Sequence, residues 1–328
     1  MSQTNFNKFH EKIRLTFEES SALREKRDLL VEEIRKDIKA KFDSLPIKTP
    51  RFEVFNQGSY YIGTGIKPLP DEDYDIDIGL QFHFTREDHK PVEVKQWIYD
   101  ALSKNPNRKV EFKTPCIRVQ YTKKGDDLFH VDIVAYCEGP GFLSDKNLYI
   151  AKGKLNSTSE NKKWEISQPH ELKKKLDNKY SGEDAQQFKR VIRYLKRWKD
   201  LHFSSSGYAR PTGIAITACA YNWFSPYTEY NFIGGKRTYN DAQAIRNLVS
   251  SMISHFGWPN ERISVKLPVE PGNDLFEKMG SQQHKDLKTK LERLRNNLDE
   301  AMRLERNGDI AGARKLMVKE FGSDFPGS

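Results

Sequence analysis

The sequence has 328 residues, and its 55 lysines and arginines against 46 aspartates and glutamates give a formal net charge of +9 at pH 7. A chain of this length forms two domains or one large bilobed unit. The positive balance excludes an acidic, self-repelling disordered chain, and it suits polyanionic partners such as nucleotides, nucleic acid or anionic lipid. Charge alone does not choose among these partners, so the choice depends on the motifs.

The sequence also predicts the compartment. No run of apolar residues approaches the ~18 that a membrane span needs. The segment Met1 to Ser20 carries charges throughout and lacks an apolar signal core. Cys116, Cys137 and Cys219 are odd in number and widely separated, which argues against a disulfide framework and against a Cys-paired zinc site. We therefore expect a soluble, cytoplasmic protein with its cysteines in the core.

The first predicted elements combine long helices with short strands. Apolar residues at helical spacing between Asn5 and Ser44 predict one or two N-terminal helices, and Phe52 to Asn56 is typical of a short strand. From Asp75 to Phe82, apolar residues alternate with polar ones that include Asp75 and Asp77. This period predicts a strand with one core face and one acidic face.

A hairpin is predicted next. Pro91 begins a helix that ends near Lys104, and the stretches Val110 to Tyr121 and Leu128 to Cys137 are expected to pair around a turn at Lys124 to Asp126. In the second stretch the apolar residues again occupy alternate positions, which places Asp132 on the face opposite the core.

The second half of the sequence is typical of helices. We predict an α+β protein in which residues 1–165 form one domain and residues 166–328 form a helical domain, with the boundary between Ser157 and Pro169. Beyond a polar stretch from Lys154 to Lys163, the predicted helices lie near 169–180, 184–202, 212–224, 240–256 and 275–320.

Three aspartates form the predicted chemical centre. Residues i and i+2 of a strand project from one face about 6.6 Å apart, which makes Asp75 and Asp77 natural partners for hard cations, and Asp132 would complete the set. Each close pair of carboxylates repels by about 4 kcal/mol at an effective dielectric near 20 unless a cation neutralises it. Two Mg²⁺ ions ~3.5–4 Å apart can support an in-line displacement at phosphorus. The alternative is a solvated acidic strand face.

Gly58-Ser59 follows the first strand and could contact phosphate. A turn that glycine permits can direct backbone N–H groups and a hydroxyl at phosphate oxygens. The segment is not a Walker A loop, because Thr64-Gly65 stands where Lys-Ser/Thr is required. Ser59 also lacks the G-x-S-x-G context of a hydrolase nucleophile.

The order of these motifs resembles the DNA-polymerase-β-like nucleotidyltransferase superfamily. Its glycine-serine pair, D-x-D motif and distant third aspartate match Gly58-Ser59, Asp75 to Asp77 and His130 to Val134. The run Val191 to Trp198 resembles the basic helix of the 2′-5′ oligoadenylate synthase and cyclic GMP-AMP synthase branch, and Lys319 to Pro326 is similar to the C-terminal segment of bacterial CD-NTases. The resemblance covers nearly the whole chain. It implies a catalytic core with a mixed sheet, a long N-terminal helix and a C-terminal helical lobe.

The resemblance also implies site residues. Asp75, Asp77 and Asp132 would be catalytic and hold Mg²⁺, with Mn²⁺ as the alternative ion. The residues implied to bind the nucleotide are Gly58, Ser59, Arg193, Lys196, Thr212 and Tyr221.

Several of these assignments have plain structural alternatives. The basic residues, which recur at helical spacing, could lie on a solvated helix face, and spacing does not separate Lys196 from Lys199. Thr212 lies where the family begins its next helix, and Tyr221 could stack on a base or belong to the core. His130 either supports Asp132 or is a satisfied sheet histidine.

The function implied is a template-independent enzyme of CBASS anti-phage systems. It would join NTPs, ATP among them, into a cyclic di- or trinucleotide second messenger and release pyrophosphate, and a downstream effector would act through the product. Some relatives are conjugated at the C-terminus by ubiquitin-like machinery, which the Gly327-Ser328 tail permits. The alternatives are a linear 2′-5′ oligoadenylate or RNA-tailing enzyme, an inactive nucleotide- or RNA-binding module, and a basic adaptor. The zinc-thumb ligands of the animal synthase are lacking, which argues against DNA sensing by that route.

Overall fold

The computed structural model of the protein describes residues 2–15, 17–70, 72–121, 129–140, 147–204, 206–207, 209–231, 235–257, 259 and 261–327. The N-terminal region forms two helices, α1 (Gln3–Ile13) and α2 (Phe17–Asp43), which is one of the two predicted arrangements. Within the described ranges, no helix is long and apolar enough to cross a bilayer.

A mixed seven-stranded sheet is the centre of the first half. Its strand order is β1-β2-β5-β4-β3, with β6 paired to β5 and β7 paired to β6. The central pair, β2 and β5, is parallel, and the other pairs are antiparallel. The strands are β1 (Phe52–Asn56), β2 (Tyr74–Thr85), β3 (Arg108–Phe112), β4 (Ile117–Tyr121), β5 (Phe129–Glu138), β6 (Leu148–Lys152) and β7 (Lys163–Ser167).

Two helices lie between the first strands. The short helix α3 (Gly58–Tyr61) follows β1, and α4 (Pro91–Ser103) crosses over from β2 toward β3. Proline in the first turn of α4 is compatible with a helix start, and the Glu93 carboxylate accepts a hydrogen bond from the Lys90 N–H at 3.3 Å. The predicted helix from residue 91 and the strands at 52–56 and 75–82 are therefore confirmed.

The hairpin prediction is only partly right. The stretch 110–121 contains two strands, β3 and β4, so that β4 alone pairs with β5. The predicted turn at Lys124 to Asp126 lies outside the described residues. Strands β6 and β7 were not predicted. The five residues of β7 do alternate between polar and apolar types, as a strand does, but none of them is fully buried and they directly follow a polar stretch.

The second half is mainly helical, as predicted, with two corrections. A two-stranded sheet of β8 (Thr228–Asn231) and β9 (Lys236–Tyr239) interrupts it. The predicted helix 275–320 is two helices, because Gly308 adopts φ +86° and Asp309 caps the second one through the Gly312 N–H. The helices are α5 (Pro169–Asp177), α6 (Gly182–His202), α7 (Gly213–Trp223), α8 (Asp241–Ser254), α9 (Ser281–Arg306) and α10 (Ile310–Phe321).

Two of the three hydrophobic clusters among the described residues correspond to the two halves. One joins the sheet to α2 and α4 through residues such as Ile34, Ile78 and Trp97. The other joins α6 to α10 and also includes Phe6 and Phe9 of α1. The first helix thus packs into the helical half, and the division of the chain at residue 165 stays a prediction.

Candidate active site

The register of the central strands brings the predicted aspartates together. In the parallel pair β2·β5, Asp75 lies opposite His130 and Asp77 lies opposite Asp132. The intervening residues, such as Ile76 and Ile78, point into the sheet core. Side chains of alternate residues share a face, so all four polar side chains project from the face opposite that core.

The polar atoms on this face are close enough to share a cation. One ligand atom each from Asp75, His130 and Asp132 lies within 4.8 Å of the others. The Asp75 side chain is 55% exposed, whereas those of His130 and Asp132 are 14% and 13% exposed. The site therefore opens to solvent on the Asp75 side.

Asp77 is packed against the backbone of Gly58. A Cβ added at Gly58 would lie 1.8 Å from Asp77 Oδ2, and Gly58 has φ +62°, in the left-handed region that favours glycine. The Gln57 N–H also donates to the Asp77 carbonyl at 2.9 Å. Position 58 thus requires glycine for a steric reason, which is separate from the phosphate contact predicted for it.

Crowding changes the acidity of Asp77. Burial, followed by the charges of Asp75 and Asp132, raises its pKa from 3.8 to about 8. Three ionised carboxylates at this spacing need a cation, and oxygen atoms are the ligands that Mg²⁺ prefers. The donor set of this face therefore fits a divalent metal ion.

Arg118 is a charged residue of the site that the sequence did not reveal. It lies directly opposite Asp132 in the antiparallel pair β4·β5. Its Nε and Nη2 donate to Asp132 Oδ1 and Oδ2, both at 2.7 Å, and this pairing raises the pKa of Arg118. The guanidinium thus fixes the orientation of Asp132 and neutralises one charge of the cluster. The sequence does not show how β4 pairs with β5, and only this pairing shows that Arg118 lies on the same face as Asp132.

The predicted phosphate-binding cations hold the loop that follows α3. Arg193 donates from Nη2 to the Gly63 carbonyl at 2.6 Å and from Nε to the Gly65 carbonyl at 3.2 Å. Lys196 donates from Nζ to the Thr64 carbonyl at 3.1 Å and to Thr64 Oγ1 at 3.0 Å. Both side chains therefore connect α6 to the segment that carries Ser59, and their contact with a nucleotide stays a prediction.

Burial also weakens the charge of Lys196. Its removal from water, together with the neighbouring Lys199 and Arg193 charges, lowers its pKa to about 7. Ser59, in turn, is partly buried on α3, and its carbonyl accepts from the Thr64 N–H at 2.9 Å. The loop after α3 is thus fixed at both ends by hydrogen bonds.

The two remaining predicted residues lie at opposite ends of α7. Thr212 caps this helix, because its Oγ1 accepts from the Ala215 N–H at 3.2 Å, and a Cβ added at the adjacent Gly213 would lie 3.3 Å from Lys196 Cε. Tyr221 is nine residues further, about 13 Å along the helix axis. It packs against the helical core, with Lys179 Nζ 4.7 Å from its ring centroid. The structure therefore brings Thr212, but not Tyr221, beside the basic residues.

Comparisons with known proteins agree on the fold. Residues 51–136 match a family described as "Cyclic GMP-AMP synthase DncV-like, nucleotidyltransferase domain". A cyclic GMP-AMP synthase of Escherichia albertii is 28% identical over 199 residues, which are 58% of this chain and 40% of that protein. A c-di-GMP synthase of Roseivirga ehrenbergii is 22% identical over 244 residues, 68% of this chain and 60% of that protein. The matches thus span less than two thirds of either relative.

Solved structures are similar over almost the whole chain. Vibrio cholerae DncV, a cyclic AMP-GMP synthase, superposes with a TM-score of 0.72 and 19% identity, over 98% of this chain and 97% of that one. Its complex with the linear intermediate 5′ pppA(3′,5′)pG gives 0.73 and 18%, over 98% and 96%. The CD-NTase CdnG of Bradyrhizobium diazoefficiens, bound to GTP, gives 0.70 and 15%, over 97% and 94%. The predicted α+β fold with a nucleotidyltransferase core is confirmed.

Proposed function

We propose that this chain, whose residues 51–136 match the DncV-like nucleotidyltransferase domain, is a member of the CD-NTase family. It would be a metal-dependent, template-independent nucleotidyltransferase that joins NTPs into a cyclic di- or trinucleotide. The observation that carries the proposal is the convergence of Asp75, Asp77 and Asp132 on one sheet face through the register of β2 and β5. The two relatives found by sequence are named as cyclic dinucleotide synthases, which supports the same product class.

The three aspartates would hold the divalent ions. When bound, such ions activate an attacking hydroxyl and stabilise the leaving oxygen at phosphorus. The protein supplies the orientation: Gly58 lets the Asp77 carboxylate approach the α3 backbone, and Arg118 fixes the plane of Asp132. A ribose hydroxyl of one nucleotide would attack the α-phosphate of another, with pyrophosphate as the leaving group. A second such step on the linear intermediate would close the ring.

The basic helix would support the triphosphate. Arg193 and Lys196 hold the 63–65 loop, so α3, whose first residue Gly58 lies against Asp77, is fixed at the end of β1. A triphosphate near Lys196 would stabilise the charged form of its amine and so raise its lowered pKa. The attraction between the protonated amine and the triphosphate would contribute to binding. Thr212, whose helix begins beside Lys196, would lie at the same end.

Purine nucleotides are the proposed substrates. The products named for the two relatives, cyclic GMP-AMP and c-di-GMP, share a GMP unit, and the V. cholerae and B. diazoefficiens structures contain a linear pppA(3′,5′)pG and GTP. We therefore propose GTP and ATP as the first pair to test. The role in CBASS signalling, with an effector that responds to the product, follows from the family and belongs to the same proposal.

C-terminal conjugation is also part of the proposal. Phe325 is 1% exposed and packs against Phe6 and Phe9, whereas Gly327 is exposed. A ubiquitin-like machinery would thus reach the chain only beyond this buried anchor. The cytoplasmic location stays a prediction.

The decisive experiment combines product analysis with matched variants. The purified protein is incubated with all four NTPs and Mg²⁺ or Mn²⁺, each NTP is omitted in turn, and the products are identified by mass spectrometry. We expect a cyclic product in the wild type and in Asp100→Asn, a control on the half-exposed surface of α4, and at least a ~100-fold loss in Asp75→Asn and Asp77→Asn. Linear oligoadenylates or extended RNA would assign the alternative transferase activities. Product formation that survives both aspartate substitutions would refute the proposal.

A further inference from the structure

His130 occupies a position in the acidic cluster that the proposed chemistry does not use. It lies opposite Asp75 in the sheet, with Nε2 3.0 Å from Asp75 Oδ1. With Asp75 and Asp132 it supplies three ligand atoms within 4.8 Å. Ligands on opposite sides of an ion at ~2.1 Å are about 4.2 Å apart, so a small side-chain adjustment brings all three into one coordination sphere.

The second ring nitrogen of His130 has a carboxylate within reach. Nδ1 is buried and makes no hydrogen bond within the described part of the chain. Asp73 Oδ2 lies 3.7 Å from it. Metal-bound histidines usually donate their other N–H to a carboxylate, carbonyl or water, which fixes the ring. The Asp73 carboxylate, the His130 ring and the acidic cluster therefore lie in the order carboxylate–imidazole–metal that is usual for a histidine ligand.

A purely structural histidine explains this arrangement less well. A hydrogen bond from His130 to Asp75 would order one exposed carboxylate, but it would leave the buried Nδ1 3.7 Å from Asp73 Oδ2, beyond hydrogen-bond distance. If Nε2 faces a cation and the ring moves toward Asp73, both nitrogens gain a partner. The geometry thus favours a ligand role.

We propose that His130 is a nitrogen ligand of the metal centre, oriented by Asp73, and that the site consequently prefers Mn²⁺ to Mg²⁺. The proposal rests on the proposed function, because it concerns the same ions. Mg²⁺ demands oxygen ligands and gives up its waters reluctantly, whereas imidazole suits first-row transition ions. Mn²⁺ also accepts the carboxylates of Asp75 and Asp132, so it satisfies the whole set.

The direct test is pulsed EPR of Mn²⁺ bound to the full-length protein without nucleotide, because purine nitrogens would add their own signal. We expect ¹⁴N coupling from a directly bound imidazole in the wild type. The coupling should disappear in His130→Gln and persist in His83→Gln, a half-exposed histidine further along β2 that pairs with Glu138. A wild-type spectrum without imidazole nitrogen would overturn the proposal even if the His130 variant does not fold.

Affinity provides the second readout. We expect the wild type to bind Mn²⁺ at least ~10-fold more tightly than Mg²⁺. His130→Gln should weaken Mn²⁺ binding ~10- to 100-fold and change Mg²⁺ binding by less than ~3-fold. Asp73→Asn should lower Mn²⁺ affinity by a smaller factor in the same direction. Equal losses for the two ions would show that His130 only orients Asp75. Cyclic product made with an unaltered ion preference would refute this inference and leave the proposed function intact. Mn²⁺ bound through nitrogen without any product would do the reverse.

Discussion

Asp77→Asn is expected to stabilise the metal-free protein while it abolishes activity. The pKa of Asp77 is raised to about 8 in the folded chain and is near 3.8 in its ordinary state. The folded protein therefore binds a proton that the unfolded protein has released, and this contribution to stability is complete below pH ~4 and is lost as the pH rises through 8. Asparagine does not titrate, so the variant lacks this loss.

The magnitude follows from the pKa difference. Between pH 5 and pH 8 the wild type passes through three pH units, each worth ~1.4 kcal/mol for one proton, which sets an upper limit of about 4 kcal/mol. Asp77 already begins to lose its proton below pH 8, so we expect the variant to gain about 2–4 kcal/mol over this interval relative to the wild type. For 328 residues this corresponds to roughly 3–6 °C in Tm.

The assay is thermal unfolding with EDTA at pH 5, 6, 7 and 8. The Tm difference between Asp77→Asn and the wild type should grow with pH, and Asp100→Asn, with its half-exposed carboxylate, should show a constant difference. Added Mg²⁺ or Mn²⁺ should stabilise the wild type more than Asp77→Asn, because the ion replaces the proton. A Tm difference that is independent of pH would refute the argument that the carboxylates are crowded.

Three other substitutions test separate parts of the site. Gly58→Ala should lower turnover at least ~10-fold, because its Cβ would lie 1.8 Å from Asp77 Oδ2, and a wild-type rate in the product assay would contradict this. Arg118→Gln should tighten Mn²⁺ binding without nucleotide, because Asp132 loses its neutralising charge, and should lower kcat about tenfold or more, because Asp132 also loses its fixed orientation. EPR titration measures the first effect and steady-state kinetics the second, and unchanged values would exclude a role for this pair. In the wild type, NTP affinity should fall between pH 6 and 8, because the pKa of Lys196 is about 7 and its amine loses its proton in this range. Lys196→Met should raise the KM for NTP about tenfold and remove this fall, and the same pH dependence in the variant would disprove the assignment.

The alternation of apolar and polar residues predicted those parts of the fold that depend on neighbouring residues in the sequence, such as the two faces of a strand. The alternation in β2 and β5 separates apolar from acidic faces, and the observed cores contain the apolar set. The i, i+2 rule placed Asp75 and Asp77 on one face, and the same alternation placed Asp132 opposite the core. Whether those faces meet is decided by strand pairing, which the motif order of a known superfamily supplied and periodicity did not.

The missed features depend on contacts distant in sequence. Arg118 meets Asp132 because of the register of β4 against β5, which local periodicity does not fix. The nucleotide contact that the resemblance implies for Arg193 and Lys196 stays a prediction, and helical spacing did not show that their donors reach carbonyls about 130 residues earlier in the chain. Strand β7 is the exception, because its five residues alternate between polar and apolar types and so carry a short local signal. The contacts of Arg118, Arg193 and Lys196 depend on tertiary structure rather than on local periodicity.

The site as a whole joins an acidic sheet face to a helix whose basic residues already have partners. Arg118 offsets one of the carboxylates, and burial together with the remaining charge raises the pKa of Asp77 to about 8, so that it is largely protonated near neutral pH. On the other side, Lys196 is buried against neutral Thr64 oxygens and is only partly charged near pH 7. Both groups are thus held in their less charged forms. Divalent ions would ionise Asp77 and a triphosphate would charge Lys196, so each ligand makes the site more favourable for the other. Ion and nucleotide should therefore bind cooperatively, and Lys196→Met should reduce that cooperativity while leaving nucleotide-free ion binding unchanged.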